Sequence, residues 1–462
     1  MMDRQVLRQL QQAVGKDNVI MDREELVLYS YDATPEMPPA CPLAAVLPQS
    51  AAQVAAVVNI CRVNRLAVFP RGSGTNLSGG TVPLGGGVVL ATLRMDRILE
   101  LDPDNLAATV QPGVIIQRLN DAAAPYGLIY PPDPGTVATA TMGGSVAECS
   151  GGLRGLKYGV TRDYVTGLEV VLADGSVARF GGKTVKNVTA YDMVRLFTGA
   201  EGTLGVITEI TVRLVPAPQD RRSMLASFTQ LAAAGEAVAA IIRARIIPAT
   251  MEILDRTTIE AVENYAHAGL PRDAAAVLLV EVDGLTEVVR HDAAVVERIL
   301  QESGGRLKLA ADDRERDALW AARRAALPAL ARLRPTTVLE DATVPRSRIV
   351  EMLAAIQDIA VRHNLLIGTF GHAGDGNLHP TILTDEGDHE EMARVHLAVK
   401  EIFATALAMG GTLSGEHGIG LAKRRFLPLE LGDAGVAAVR RIKRALDPDN
   451  LFNPGKILPE EE

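Results

Sequence analysis

Four side chains in the C-terminal third stand out by type and spacing. His372 and His379 lie seven residues apart in GHAGDGNLHP (371–380), and Glu416 and His417 are adjacent in SGEHGIG (414–420). Together they offer three nitrogen donors and one carboxylate. Two histidines and a carboxylate suit Zn²⁺, Mn²⁺ or Fe²⁺ and leave positions open for a substrate. The remaining histidine is then free to act as a base. Asp375 is a further oxygen donor, although an Asp-Gly pair in a turn is more often structural. Either motif alone reads equally well as a glycine-rich turn carrying hydrogen-bonded histidines, and only the two together favour a metal. Adjacent residues in an extended segment face opposite ways. Gly415 and Gly418 are therefore expected to supply the twist that brings Glu416 and His417 to one place.

A second chemistry is written near the N-terminus. PRGSGTNLSGG (70–80) follows a strand-like run, and its glycines let successive backbone N–H groups converge on phosphate oxygens. It is not the dinucleotide fingerprint, because Leu77 stands where the third glycine is needed. GGKT (181–184) is no Walker A loop either, since its first glycine would fall on Val177. Residues 131–159 form another stretch of small residues along which a large planar ligand can lie.

These segments need elements to hold them. Helical periodicity covers 3–15 and 22–30 and is followed by the proline-rich TPEMPPACP. A strand (44–48), a helix (50–64) and a strand (66–69) then lead into the phosphate loop. Asp174-Gly175 between two β-rich runs predicts a hairpin. Residues 127–165 read as a long functional loop. After PAPQDRRS (216–223) strands at 224–228, 250–254 and 276–283 alternate with helices at 229–243 and 287–303. One long helix (312–332) carries Trp320, the only tryptophan. Helices at 345–362, 388–409 and 433–446 complete the chain, with the strand LLIGTF before the first histidine motif.

At 462 residues the chain is too long for one core. A net charge of −9 argues against a nucleic-acid surface. The N-terminus lacks a signal peptide's apolar core, and no run of about 18 apolar residues could span a membrane. Three scattered cysteines make neither a disulfide framework nor a Cys-ligated iron–sulfur cluster, which fits a cytoplasmic protein.

Taken in order, PRGSGTNLSGG, MGGSVAECSGGLRGLKYGVTRDYVTGLEVVLADG, GAEGTLGVITEITVRL, GHAGDGNLHP, SGEHGIG and NPGKIL resemble one family end to end. It is the FAD-linked D-2-hydroxy-acid dehydrogenases, the group containing glycolate oxidase, D-lactate dehydrogenase and D-2-hydroxyglutarate dehydrogenase. The resemblance implies an α+β fold. A two-subdomain FAD-binding domain of the vanillyl-alcohol-oxidase type (PCMH type) would span 1–219. An α+β substrate, or cap, domain would span 220–410, and 411–462 would return to complete the active site and the FAD site. It implies that Arg71, Gly72, Ser73, Gly74, Thr75, Asn76 and Leu77 cradle the FAD pyrophosphate. Pro132, Asp133, Thr139, Gly143, Gly144, Ala147, Gly151 and Gly152 would line the cofactor, with Glu201, Gly202, Ile207 and Asn453. By the same resemblance His372, His379 and Glu416 bind a divalent metal (Zn, Mn or Fe), His417 is the catalytic base, and Arg323 holds the substrate carboxylate.

The family pattern is broken at four places. Ser145 and Cys149 stand where many relatives have asparagine. Leu339 and Thr381 stand where D-2-hydroxyglutarate enzymes place a lysine and an asparagine, which disfavours a substrate with a second carboxylate. The first histidine in the chain is His267, so FAD is expected to bind non-covalently. The expected activity is oxidation of a D-2-hydroxy acid, D-lactate or glycolate, with electrons passed to an iron–sulfur subunit, an electron-transferring flavoprotein or a quinone. The expected location is cytoplasmic, peripheral to the membrane at most through such a partner. The competing readings are a non-catalytic flavin electron-transfer subunit, a metal-free lyase or transferase like that of ether-lipid synthesis, and D-2-hydroxyglutarate as the substrate.

Overall fold

The computed structural model describes residues 2–460 apart from 36 and 38, two positions inside TPEMPPACP. The chain forms two compact units. The first is built from residues 1–150, 160–216 and 416–462, and the second from 151–159 and 217–415. Neither unit is one continuous stretch. Gly151–Gly159 fold with the second unit, within a region that a contiguous division assigns to 1–219.

The first unit contains two principal sheets. Ala44–Val46, Val88–Ala91 and Val68–Arg71 run parallel, with Val19–Ile20 added antiparallel at one edge. The second sheet is antiparallel, in the order Ile98–Asp102, Ala107–Val110, Val206–Arg213, Val165–Val171 and Val177–Gly181. Its last two strands are the hairpin expected at Asp174-Gly175, where the Asp174 carboxylate accepts the Ser176 N–H at 2.9 Å. β-Branched residues dominate these strands, and their buried faces meet the helices Arg4–Val14 and Ala51–Val63 in one core. Phe452, from the far end of the chain, is fully buried in that core. Asn453 N–H donates to the Val68 carbonyl and Val68 N–H to the Leu451 carbonyl, both at 2.8 Å. The region 127–165 is not structureless, since it holds the helix Met142–Glu148, capped by the Thr141 side chain.

The second unit is an antiparallel sheet in the order Arg306–Leu309, Asp220–Phe228, Ala276–Gly284, Thr250–Asp255, Leu366–His372, Asn377–Thr384 and Thr336–Leu339. Ala342–Thr343 pairs alongside Asn377–Thr384 after a break at 340–341. Leu254, Val277, Leu279, Phe370 and Leu383 pack in one core with the helix Arg256–Ala266 and with Trp320. The helix expected over 312–332 divides into Asp313–Arg324 and Ala326–Leu330. Pro328 has no N–H to return to the preceding turn, and the break falls just upstream of it. The helix Leu427–Leu446, in the first unit, is broken at Gly432, so its long arm matches the expected 433–446. No helix among the described residues is long and apolar enough to cross a membrane.

Candidate functional site

GHAGDGNLHP is a hairpin rather than a free loop. His372 ends the strand Leu366–His372 and His379 sits inside Asn377–Thr384. Asp375 closes the turn by accepting the Asn377 N–H at 3.2 Å, which is the structural use expected of it. His372 faces Asn377 and His379 faces Phe370 across the ladder. The two histidines are therefore diagonal neighbours on one face of the sheet. Their ring centroids are 5.1 Å apart at a near-perpendicular angle of 89°.

Strand pairing brings a third group to the same face. Glu252 lies directly opposite His372, two residues before Leu254, which belongs to the core. One Glu252 oxygen is 2.6 Å from His372 Nδ1 and the other is 2.6 Å from Arg323 Nε. Burial pushes the Glu252 carboxyl up, but the Arg323 charge and the hydrogen bonds from His372 and Arg323 outweigh it and hold it below the usual carboxylate range. Arg323, in the last turn of Asp313–Arg324, lies over the Phe370 ring at 4.7 Å. The expected carboxylate-binding arginine and two expected metal ligands thus share one buried neighbourhood. A carboxylate on Nδ1 fixes the proton there and leaves Nε2 of His372 as the ligating atom, so this donor set fits a divalent cation.

The break in the edge strand places Asp341. Pro380 cannot donate to the ladder, and Glu340 N–H instead reaches the Pro380 carbonyl at 3.0 Å. Asp341 leaves the regular pairing, with one oxygen 3.9 Å from His379 Nδ1 and the other accepting from Ser414 Oγ at 2.6 Å. Leu339 and Thr381, the two departures from the diacid pattern, are direct cross-strand partners. Thr381 shares the face of His379, two residues away.

The first unit brings its two glycine-rich stretches together. A Cβ on Gly72 would lie 2.2 Å from Thr141 Oγ1, so only glycine permits this approach of the phosphate loop to the helix Met142–Glu148. Gly143 and Gly144 form the first turn of that helix. The Arg71 guanidinium packs against Gly74 of the loop, where a Cβ would lie 2.2 Å from its Nη2, and donates to the Tyr31 and Leu28 carbonyls and to Thr81 Oγ1. Asn76 is likewise tied to Asp32 at 2.8 Å. What Arg71 and Asn76 contribute with their side chains is therefore the shape of the loop. Asn453 donates to the carbonyls of Gly80 and Glu201. Its Oδ1, Ser78 Oγ and Glu148 Oε2 are buried with no hydrogen-bond partner among the described residues. Unsatisfied polar atoms beside a backbone cradle fit a polar, ring-bearing cofactor such as a flavin. Pro132 and Asp133 are buried and Thr139 is exposed. Ala147 accepts the Glu201 N–H at 2.8 Å. Gly202 packs against Pro70, and Ile207 lies in Val206–Arg213. Gly151 and Gly152 fold with the second unit. Ser145 forms a hydroxyl cluster with Ser150 and Thr161.

Glu416 and His417 begin the last segment of the first unit, with His417 Nε2 3.9 Å from a Glu416 oxygen. The segment is held by Glu201, whose two oxygens accept the N–H groups of Ile419 and Gly420 at 2.7 Å each. Gly418 has φ +81°, and a Cβ there would meet Glu148 Oε2 at 2.3 Å and Glu201 Oε1 at 3.0 Å. Burial, reinforced by Glu201 and Asp32 and opposed by Lys423, pushes the Glu148 carboxyl well up. Burial raises the Glu201 carboxyl as well, opposed by the Ile419 and Gly420 N–H groups and by Lys423 and Lys456, so Glu201 is the better-supported carboxylate of the pair.

Sequence reasoning missed Glu252, Asp341 and Glu148. Glu252 carries no local signal, being a strand residue 120 positions from His372. Glu148 lies inside the glycine-rich MGGSVAECSGG, but only its burial against a second carboxylate marks it.

Two family models match this chain: the FAD binding domain over residues 42–181, and FAD linked oxidases, C-terminal domain, over residues 217–457. The glycolate oxidase subunit GlcD of Bacillus subtilis (strain 168) is 49% identical over 462 residues, covering 100% of this chain and 98% of its own. That of Escherichia coli (strain K12) is 39% identical over 455 residues, covering 98% and 91%. A D-lactate dehydrogenase of Archaeoglobus fulgidus is 37% identical over 437 residues, covering 93% and 95%. Among solved structures, p-cresol methylhydroxylase with substrate bound aligns with a TM-score of 0.81 at 20% identity, covering 98% of this chain and 96% of that one. An alkyldihydroxyacetonephosphate synthase aligns at 0.77 and 20% identity, covering 98% and 86%. At such identities the structural likeness establishes the fold alone.

Proposed function

The chain belongs to the FAD-linked oxidases, in the group of glycolate oxidase subunit GlcD and D-lactate dehydrogenase, and from this we infer that it oxidises a D-2-hydroxy acid to the 2-oxo acid. D-Lactate and glycolate are the substrates we propose. The observation that carries the reading is the Arg323–Glu252–His372 chain beside His379, in which a carboxylate-binding cation adjoins two metal-type histidines. His372 and His379, with Glu416, would hold a divalent cation: Zn, Mn or Fe. When bound, FAD supplies the hydride acceptor, and the cation supplies positive charge that lowers the pKa of a nearby hydroxyl.

The chain's own residues do the rest. Arg323 orients the substrate carboxylate through its Nη donors, since Nε is committed to Glu252. Packing over Phe370 keeps the guanidinium plane fixed. His417 takes the hydroxyl proton, and Glu201 steadies the backbone two and three residues beyond it. Leu339 beside Thr381 offers no charge to a second carboxylate, which supports a small substrate over D-2-hydroxyglutarate. Non-covalent FAD in the Arg71–Leu77 cradle, with Asn453 at its edge, completes the proposal. Electrons leave through a partner, an iron–sulfur subunit or an electron-transferring flavoprotein. The three cysteines are all free, in keeping with a cytoplasmic location.

The test is anaerobic flavin reduction by D-lactate and glycolate. His417→Ala should retain FAD and lose most of the reduction rate. Removing metal with a chelator should slow reduction without releasing flavin. Unchanged reduction in both cases would overturn the reading.

A further inference from the structure

Glu252 touches two residues to which the proposed function gives separate tasks. His372 would ligate the cation and Arg323 would hold the substrate carboxylate. One carboxylate, fully buried, bonds both at 2.6 Å. We propose that Glu252 is a positioning residue that sets the tautomer of His372 and the orientation of Arg323 together, so that the cation site and the carboxylate site are built as one unit. This rests on the assignment of His372 and Arg323 given above.

Donor chemistry carries the argument. Arg323 Nε can only donate, so the Glu252 oxygen facing it must accept. The other oxygen, on an ionised carboxylate, can also only accept. His372 Nδ1 must then carry the proton, and Nε2 presents its lone pair. The backbone fixes this arrangement, because Glu252 and His372 are register partners on adjacent strands. Leu254, next on the same face, is buried in the core, so the Glu252 side chain has no solvent-filled alternative. Arg323 is placed independently, by a helix that ends one residue later.

Glutamine at 252 has nearly the same shape and opposite logic on one side. Its carbonyl must serve Arg323 Nε. Its NH₂ then faces His372 Nδ1, which has to become an acceptor. The imidazole proton moves to Nε2, the atom a cation needs. Loss of such an outer partner typically weakens metal binding ~10–100-fold.

The experiment uses the FAD-loaded full chain, depleted of metal and labelled with ¹⁵N-histidine. His372 signals are assigned with a His372→Gln variant. Wild type should show the Nδ1–H tautomer at His372 and Glu252→Gln the Nε2–H tautomer. Mn²⁺ and Zn²⁺ titrations by calorimetry should give a Kd ~10–100-fold weaker in Glu252→Gln. KM for D-lactate should rise as well, because the same carboxylate holds Arg323. Glu252→Asp, which keeps both acceptors on a shorter stem, should retain Nδ1–H. An Nε2–H tautomer in wild type overturns the proposal even if the glutamine variant does not fold. So does an unchanged tautomer and Kd in Glu252→Gln. If wild type binds no cation while His372 shows the Nδ1–H tautomer, the metal assignment fails and the positioning role of Glu252 stands.

Discussion

Replacing Glu201 by Gln should harm this protein far more than replacing Glu148 by Gln, although both carboxyls are buried and both face Gly418. Each Glu201 oxygen accepts one backbone N–H at 2.7 Å, from Ile419 and Gly420. A glutamine keeps one acceptor and turns an NH₂ toward the other N–H. The loss is one charge-assisted hydrogen bond and one stranded buried donor, about 2–3 kcal/mol. If His417 works only when this segment is ordered, flavin reduction slows roughly 30- to 160-fold at 1.36 kcal/mol per decade. Glu148 is different, because its carboxyl is pushed well up and its Oε2 accepts no hydrogen bond among the described residues. Glutamine there preserves shape and charge, and flavin reduction should stay within about fivefold of wild type. Both folded-state carboxyls are raised, so the pH effect has the same sign for both, and Glu148 is the one pushed well up. The folded state keeps a proton on Glu148 that the unfolded chain releases near its ordinary value of 4.5. Between 4.5 and the raised folded value the folded state binds more protons, so this group's contribution to stability falls as pH rises through that window. Glu148→Gln should remove its share of that decline and leave the share of Glu201. The assays are stopped-flow flavin reduction with D-lactate, FAD content by absorbance, and denaturant midpoints at a series of pH values upward from the ordinary carboxyl value of 4.5. Equal damage from both substitutions, or wild-type reduction in Glu201→Gln, would refute the assignment of charge within the pair.

Other expectations follow from single contacts. Gly72→Ala forces a Cβ to 2.2 Å from Thr141 Oγ1, and overpacking of about 1–3 kcal/mol should weaken FAD retention roughly 5- to 150-fold on gel filtration. Leu339→Lys combined with Thr381→Asn puts a cation and an amide at paired positions, and should raise kcat/KM for D-2-hydroxyglutarate relative to D-lactate by about tenfold or more. Cys41 is exposed, whereas burial pushes the Cys61 thiol up to about 12 and also raises Cys149. At about pH 8 iodoacetamide should therefore modify Cys41 first, read by peptide mass spectrometry, and equal labelling of Cys61 would count against the first-unit core.

The two histidine motifs, the Asp174-Gly175 hairpin and the paired glycine stretches were legible in the sequence because each is local. Turn chemistry and strand alternation act over a few residues. Glu252 was invisible for the opposite reason: its role comes from register with a strand 120 residues away. The strand Asn377–Thr384 was obscured by Pro380, which normally argues against a paired strand. The structure tolerates it where the neighbouring edge strand breaks, and that break is what places Asp341 near His379. Arg71 shows a further limit. An arginine in a phosphate loop invites an ion-pair reading, yet its guanidinium braces carbonyls 40 and 43 residues upstream.

The burial of Phe452 in the first core has a consequence for how the protein comes into being. A ribosome making roughly 5–20 residues per second needs about 10–50 s to pass from residue 216 to residue 452. Throughout that interval Val68 lacks its backbone partners at Leu451–Asn453, and Gly80 and Glu201 lack the amide that joins them. The nascent first unit must wait, with an incomplete core, while the whole sheet of the second unit is synthesised. Flavin capture is then expected to follow release of the chain rather than accompany its emergence, and a polypeptide stopped at 219 would remain an unfinished cradle.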